Sequence, residues 1–171
     1  LRLRKADPAG QPLAGATLAI WNQSKTQKLW EGVSIAAAPG NAEGWITLQA
    51  AAGQTDAAAY LVMGGQYYLH ETAAPDGYRL NPDWIAFTFT QGGATSLTVT
   101  DAPLSLTMSK VDLVGGAEIP GAILTLTDDT DAGRVVETWT TAVDGSGAVQ
   151  PHTVDRALLK AGHTYALTEV T

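Results

Sequence analysis

The chain has 171 residues, a formal net charge of −7 and no cysteine. This length suffices for one large domain or two small ones. The negative charge disfavours nucleic acid as a partner, and the absence of cysteine excludes disulfides, a cysteine zinc site and a thiol nucleophile. Small secreted domains normally depend on a covalent or metal crosslink. A secreted domain of this composition would therefore need another stabiliser.

Short segments rich in β-branched and aromatic residues follow one another along the chain. The clearest predicted strands are residues 17–21, 84–90, 97–100 and 123–127. Turn signals separate such segments at residues 75–77, 92–93 and 144–145. Loops or short helices are predicted for residues 50–59 and 154–160. Many short strands with regular turns predict an all-β sandwich.

No part of the sequence predicts a membrane span. A membrane helix needs roughly 18 consecutive apolar residues, and no run reaches that length. Residues 1–5 lead into a polar turn without the apolar stretch that is typical of a signal peptide. We therefore expect no membrane partner for this part of the protein.

Three segments of the chain recur in the same order, which predicts two copies of one domain. Residues 5–7, 12–18 and 67–71 return as residues 110–112, 119–124 and 165–169. The boundary falls near Pro103, so the predicted domains are residues 1–103 and 104–171, joined by a short linker with limited hinge freedom. A counterpart of Asp101 would lie beyond Thr171, so the second copy is expected to lack its last strand.

The repeated segments resemble the signature of Cna B-type domains, the prealbumin-like modules of Gram-positive pilins and adhesins. The signature consists of Lys5-x-Asp7, then Gly15-Ala16, then the pattern Tyr-x-Leu-x-Glu-x-x-Ala-Pro-x-Gly-Tyr at residues 67–78. The second copy is similar, particularly to Spa-type pilin domains. The resemblance implies two tandem immunoglobulin-like (prealbumin-like) β-sandwich domains, the second incomplete at its C-terminus.

The resemblance also implies a self-crosslinking site. Many members of the family form an isopeptide bond from a first-strand Lys to a last-strand Asn or Asp, assisted by a Glu. By position, Lys5 is the amine, Asp101 the acceptor and Glu71 the assisting acid. In the second domain Lys110 and Glu169 match Lys5 and Glu71. Without the resemblance these would be read as surface and turn residues.

The residue types suit this chemistry. A lysine attacks a carbonyl only as the neutral amine, which burial favours. Burial also keeps a carboxylic acid protonated, so Glu71 could shuttle a proton while a neutral Asp101 acts as electrophile. Closing the loop from Lys5 to Asp101 would stabilise the domain by about 4–5 kcal/mol. The reaction runs once, so we expect no enzyme with turnover.

Other features of the sequence predict neither a metal nor a cofactor. The three histidines have no metal spacing and are expected at the surface. The acidic residues 128–133 resemble a calcium loop but lack its downstream glutamate, so a hairpin turn is favoured. The five tryptophans could form a sugar-stacking face, although burial between sheets is the favoured interpretation for most of them.

Two functions remain open at this stage. The favoured one is a stalk or pilus module of an extracellular, wall-attached Gram-positive protein, whose partners are its neighbouring domains. The alternative is an adhesin that binds a host extracellular-matrix protein or glycan through loops or exposed aromatics. We expect Lys110 to carry no intrachain bond. Its acceptor strand could come from residues after Thr171, which we favour, or from a neighbouring molecule, or it could be missing from a loosened domain.

Overall fold

The computed structural model describes residues 1–46, 60–90, 96–117 and 119–170. The chain divides into two units, Leu1–Pro103 (unit 1) and Leu104–Thr171 (unit 2). The segment predicted as a loop or short helix at residues 50–59 and the turn at residues 92–93 lie outside the described residues.

Unit 1 contains two sheets. Its strands are β1 Arg2–Ala6, β2 Thr17–Asn22, β3 Lys28–Val33, β4 Trp45–Ile46, β5 Gln66–Ala73, β6 Trp84–Thr88 and β7 Ser96–Thr100. One sheet has the order β4-β1-β7 and the other has the order β3-β2-β5-β6. The first and last strands, β1 and β7, pair in parallel, whereas the other strand pairs of this unit are antiparallel.

Alternation along the strands builds the core of unit 1. Leu18 and Ile20 on β2 and Leu69 on β5 are fully buried on one sheet, and they pack in one cluster with Leu3 and Val99 from the other sheet. Each such side chain stabilises the fold by about 1.5–3 kcal/mol when it leaves water. The inward positions of β1, β5 and β7 therefore point into a dry interior, which is where the candidate site lies.

Unit 2 is smaller and has shorter sheets. Its strands are β8 Thr107–Met108, β9 Ile123–Asp128, β10 Arg134–Thr140, β11 Ala142–Val143, β12 Val149–Gln150, β13 His152–Thr153 and β14 Tyr165–Val170. The main sheet has the order β10-β9-β14, and β11-β12 and β8-β13 form two-stranded pairs. Its buried core cluster contains Leu126, Val154 and Leu159.

The prediction of an all-β sandwich is confirmed, and the four predicted strands correspond to β2, β6, β7 and β9. Residues 128–133 form the predicted hairpin turn between β9 and β10, where Ala132 and Gly133 have φ of 53° and 73°. A 3₁₀ turn, Arg156–Leu158, lies within the predicted loop or short helix at 154–160. Within the described ranges, no helix is long and apolar enough to cross a membrane.

The expectation that most tryptophans are core residues is wrong. Trp30 is buried at 2% exposure, whereas the other four are half-buried. The histidines are also half-buried rather than fully exposed. His163 contacts the buried carboxylate of Asp128 at 2.8 Å, and His152 stacks on Trp139. Trp21 and Trp84 cover each other edge-on at 5.4 Å, and periodicity alone does not distinguish such covered outward rings from a core.

Candidate crosslinking site

Lys5 occupies an inward position of β1, the central strand of its sheet. Leu3 and Lys5 alternate with the less buried Arg2 and Arg4, so Lys5 points to the core face although lysine is usually a surface residue. The side chain of Lys5 is 0% exposed. Its backbone is also fixed, since the Lys5 N–H donates to the Gly44 carbonyl at 2.7 Å. The amine is therefore held inside the sandwich by the pleat of the strand.

Asp101 follows β7 directly and continues its alternation. In the parallel pair, Lys5 lies opposite Val99, and the Asp101 N–H donates to the Ala6 carbonyl at 3.1 Å. Val99 and Asp101 are both buried, while Thr100 between them is exposed. The Asp101 carboxylate therefore enters the core beside Lys5, and the Lys5 amine donates a hydrogen bond to Asp101 Oδ1.

Glu71 reaches the same point from the opposite sheet. Tyr67, Leu69 and Glu71 occupy successive inward positions of β5. Glu71 Oε1 lies 2.9 Å from Lys5 Nζ, and Glu71 Oε2 accepts a hydrogen bond from the Asn81 N–H at 2.7 Å. The structure thus brings together the three residues that the resemblance assigns to the site, with all three side chains removed from water.

The electrostatics of this cluster favour proton transfer. Burial raises the pKa of Glu71 to about 7, although hydrogen bonds from Lys5 and from the Asn81 N–H, and the charge of Lys5, act to lower it. Among the described residues, Asp101 Oδ2 is a buried oxygen without a hydrogen-bond partner. Ionised groups in such a dry site are costly unless they pair or become neutral.

Lys110 and Glu169 also meet, but in a different environment. The two side chains form an ion pair and are 27% and 41% exposed. Glu169 lies opposite Leu124 on β9, as Glu71 lies opposite Leu18 on β2, so the two glutamates share a register position. An exposed pair of this kind contributes little to stability.

Sequence reasoning missed two residues that shape the site. Asn81 binds Glu71 from the connection between β5 and β6, and its Asn-Pro pair is the signal that could have placed it in a loop. Gly44 accepts the Lys5 N–H and has φ +77°. A Cβ atom at Gly44 would lie 2.4 Å from the Lys5 carbonyl oxygen. The close approach of this loop to β1 therefore requires glycine.

A second group of side chains covers the outer face of the larger sheet of unit 1. Trp84 is its centre, with the ring of His70 stacked at 4.1 Å and the ring of Trp21 edge-on at 5.4 Å. Tyr68 lies edge-on at 6.2 Å, and Lys25 Nζ lies 4.3 Å from the centre of the Tyr68 ring. We call these five residues the aromatic cluster. It is separate from the three buried site residues, which point to the inner face.

Unit 1 is therefore a β-sandwich domain with a buried lysine between two carboxyl groups, and its first and last strands pair in parallel. Residues 1–103 match the SpaA prealbumin-like fold domain, and the chain belongs to this family. No curated protein matches the chain.

Several solved structures are similar to the chain. The Bacillus anthracis TIE protein is 22% identical with a TM-score of 0.48, and the match covers 98% of this chain and 28% of that one. The C-terminal fragment of the pilus adhesin SpaC from Lactobacillus rhamnosus GG is 17% identical with a TM-score of 0.43, covering 99% and 73%. The shaft pilin SpaA from Lactobacillus rhamnosus GG is 16% identical with a TM-score of 0.39, covering 99% and 86%. The chain thus spans little more than a quarter of the TIE protein structure.

Proposed function

We propose that unit 1 is a self-crosslinking, Cna B-type stalk or pilin module of a Gram-positive surface protein, joined internally by an amide between Lys5 and Asp101. The observation that carries this proposal is the contact of the Lys5 amine with both Glu71 and Asp101 at 0% exposure. Proximity in a dry, fixed geometry replaces a collision between free reactants and lowers the barrier accordingly. No cofactor is needed.

The bond would form by condensation. The neutral Lys5 Nζ attacks the Asp101 carboxyl carbon, the Nζ–Cγ bond forms, and one Cγ–O bond breaks. Glu71, which is protonated at the start, gives its proton to the departing oxygen, which leaves as water, and takes up a proton from Nζ. Glu71 ends in its starting state, and the products are one amide and one water. The site is consumed, so this is a single event rather than enzymatic turnover.

The position of the bond suits a protein under tension. Force applied at the ends of unit 1 would enter through β1 and leave after β7. An amide between Lys5 and Asp101 would carry that force directly across the parallel pair, and the residues between them would bear none of it. The family and this force path support a stalk or pilus role outside the cell, attached to the wall, with neighbouring domains as partners.

The direct test is peptide mapping after digestion of the full chain. We expect the peptides that contain Lys5 and Asp101 to be recovered as one branched species from the wild type. In the Glu71→Gln variant they should be separate. Single-molecule extension supplies the mechanical readout, since a crosslinked unit 1 releases only the few residues outside the bond. Separate wild-type peptides, or a full-length extension of unit 1, would contradict the proposal.

We further propose that unit 2 is a second domain of the same kind. The shared register of Glu71 and Glu169, and the order of the repeated segments, support it. Lys110, assisted by Glu169, would then form an isopeptide bond only with an acceptor on a strand supplied by later residues of the natural chain. A longer chain that includes the following residues tests this, since it should lose a second water and the Lys110→Arg variant should not.

The aromatic cluster favours a second candidate, an adhesin that binds glycans. Its rings are contiguous and half-buried on an outer sheet face, with Lys25 as the adjoining cation. Aromatic faces with a cation suit acidic sugars, which offer an apolar face and a carboxylate. Array binding that is lost in Trp84→Ala and kept in Trp45→Ala would support it. Trp45 is the matched control, because it lies on the other sheet.

A further inference from the structure

The connection between β5 and β6 contacts both halves of the candidate site. We call residues 78–83 the strap. Within it, the Asn81 N–H donates to Glu71 Oε2 at 2.7 Å, and Asn81 Nδ2 donates to the Thr100 carbonyl at 2.9 Å. Asn81 Oδ1 accepts the Asp83 N–H at 2.8 Å. One residue therefore joins the strand of the acid to the residue immediately before Asp101.

Both ends of the strap are fixed. The turn before it closes with the Tyr78 N–H donating to the Pro75 carbonyl at 3.1 Å, and Gly77 supplies the φ of +83° that this turn needs. The Arg79 N–H donates to the Ala102 carbonyl at 2.9 Å. At the other end, the Asp83 carbonyl lies 3.1 Å from the His70 ring nitrogen. Asn81 is thus held against the site by neighbours on both sides.

The contact with Asn81 gives the two Glu71 oxygens different partners. Oε2 is bound by the Asn81 N–H, which leaves Oε1 facing Lys5 Nζ at 2.9 Å. A carboxyl group without such an anchor can rotate about its Cγ–Cδ bond and present either oxygen in either orientation. The side-chain amide adds a second constraint, since it fixes the Thr100 carbonyl and hence the backbone that carries Asp101.

We propose that Asn81 is a positioning residue for the crosslinking reaction: its N–H aims the Glu71 carboxyl at Lys5, and its side chain holds Asp101 in line. This inference rests on the proposed function. It assigns to a loop residue the alignment of two groups that come from opposite sheets. Alignment of this kind matters because a displacement of about 1 Å can slow a reaction by about 100-fold.

The Asn81→Ala variant removes the tie to Thr100 and leaves the backbone N–H in place. The space beside Asn81 is already open, because a pocket of about 250 Å³ is lined by residues 79–83 and 100–102. Truncation at this border leaves no enclosed cavity, so the variant should fold. Asn81→Asp is the second variant, since it keeps the size and the acceptor for the Asp83 N–H but loses the donor to Thr100. Asp83→Ala is the matched control in the same strap.

The experiment follows water loss over time in the full chain. Unreacted chain is collected unfolded in urea from inclusion bodies, diluted into buffers of different pH, quenched in acid and analysed by intact mass. We expect Asn81→Ala and Asn81→Asp to react at least about tenfold more slowly than the wild type, while Asp83→Ala keeps the wild-type rate. A purely structural defect would slow the reaction equally at every pH.

The dependence of the crosslinking rate on pH distinguishes a positioning role of Asn81 from a general loss of stability. The Asn81 N–H lowers the pKa of Glu71, so a loosened strap should let that pKa rise and move the alkaline fall in rate to higher pH. If both Asn81 variants react at the wild-type rate with the wild-type pH dependence, the inference about Asn81 is wrong, while the proposed function stands. Equal slowing by Asp83→Ala would overturn it as well. A wild-type chain that never loses water would contradict the proposed function and, with it, this inference.

Discussion

Lys5 and Asp101 face each other because β1 and β7 pair in parallel with Lys5 opposite Val99, two residues before Asp101 on the same inward face. The contact therefore joins the first strand of unit 1 to the end of its last strand. Glu71 from the other sheet completes the cluster. The consequences of this arrangement can be measured one at a time.

Loss of the crosslink should lower the free energy of unfolding of unit 1. Glu71→Gln keeps the size of the side chain but removes the acid, so the bond should not form. The loop between Lys5 and Asp101 is then open in the unfolded state, and we expect a loss of about 4–5 kcal/mol in urea denaturation. Glu31→Gln is the control, because Glu31 forms an exposed pair with Lys28 and its loss should cost less than about 1 kcal/mol. Equal stabilities of the two variants would contradict the expectation.

The rate of crosslinking should fall as the pH rises through about 7. The reactive state, with a neutral amine and two protonated acids, holds one proton more than the fully ionised cluster. Burial raises the pKa of Glu71 to about 7, so the extra proton is lost above that pH. We expect a plateau below pH 7 and a fall of about tenfold per pH unit above it. A rate that increases between pH 7 and 9 would show instead that deprotonation of Lys5 limits the reaction.

Gly44→Ala should disturb β1 beneath Lys5. The substitution adds the strain of a left-handed conformation, about 1–2 kcal/mol, and an overlap with the Lys5 carbonyl oxygen that should cost about 1–3 kcal/mol more. Gly40→Ala is the matched control, since Gly40 has φ +84° but no atom within 4 Å of the added Cβ. Unfolding in urea, with Glu71→Gln in both proteins to exclude the bond, should show the difference. Equal losses at the two glycines would indicate that the loop moves freely away from β1.

The four strands named from the sequence are present as β2, β6, β7 and β9, because alternation and turn residues are local signals. The sequence pointed to Lys5, Glu71 and Asp101 only through a family resemblance. A lysine at an inward strand position breaks the alternation of apolar and polar residues, so the pattern alone predicts that it is exposed. Asn81 could not be predicted, because its contacts depend on how the strap passes between Glu71 and Thr100, which are far apart in sequence. Trp21 and Trp84 were misplaced for a related reason: outward rings can cover each other on the same sheet face.

The chain of 171 residues should lose one water and not two. All strand pairs in the described residues of unit 2 are antiparallel, so this part of the chain has no equivalent of the β1–β7 pair. Lys110 contacts Glu169 in a partly exposed setting, whereas Lys5 is fully buried. Peptide mapping should recover Lys110 in a linear peptide, and Glu169→Ala should leave the mass deficit unchanged. A branched peptide that contains Lys110 and any residue from 104 to 171 would refute this expectation.

Intact mass of the folded wild-type chain tests the central claim most directly. If Lys5 and Asp101 condense as proposed, the protein is lighter than its sequence by one water, and Glu71→Ala, Lys5→Arg and Asp101→Ala each have the full mass of their sequences. The three variants remove the acid, the amine and the acceptor in turn, so each should abolish the deficit alone. A wild-type mass equal to that of the sequence would contradict the account.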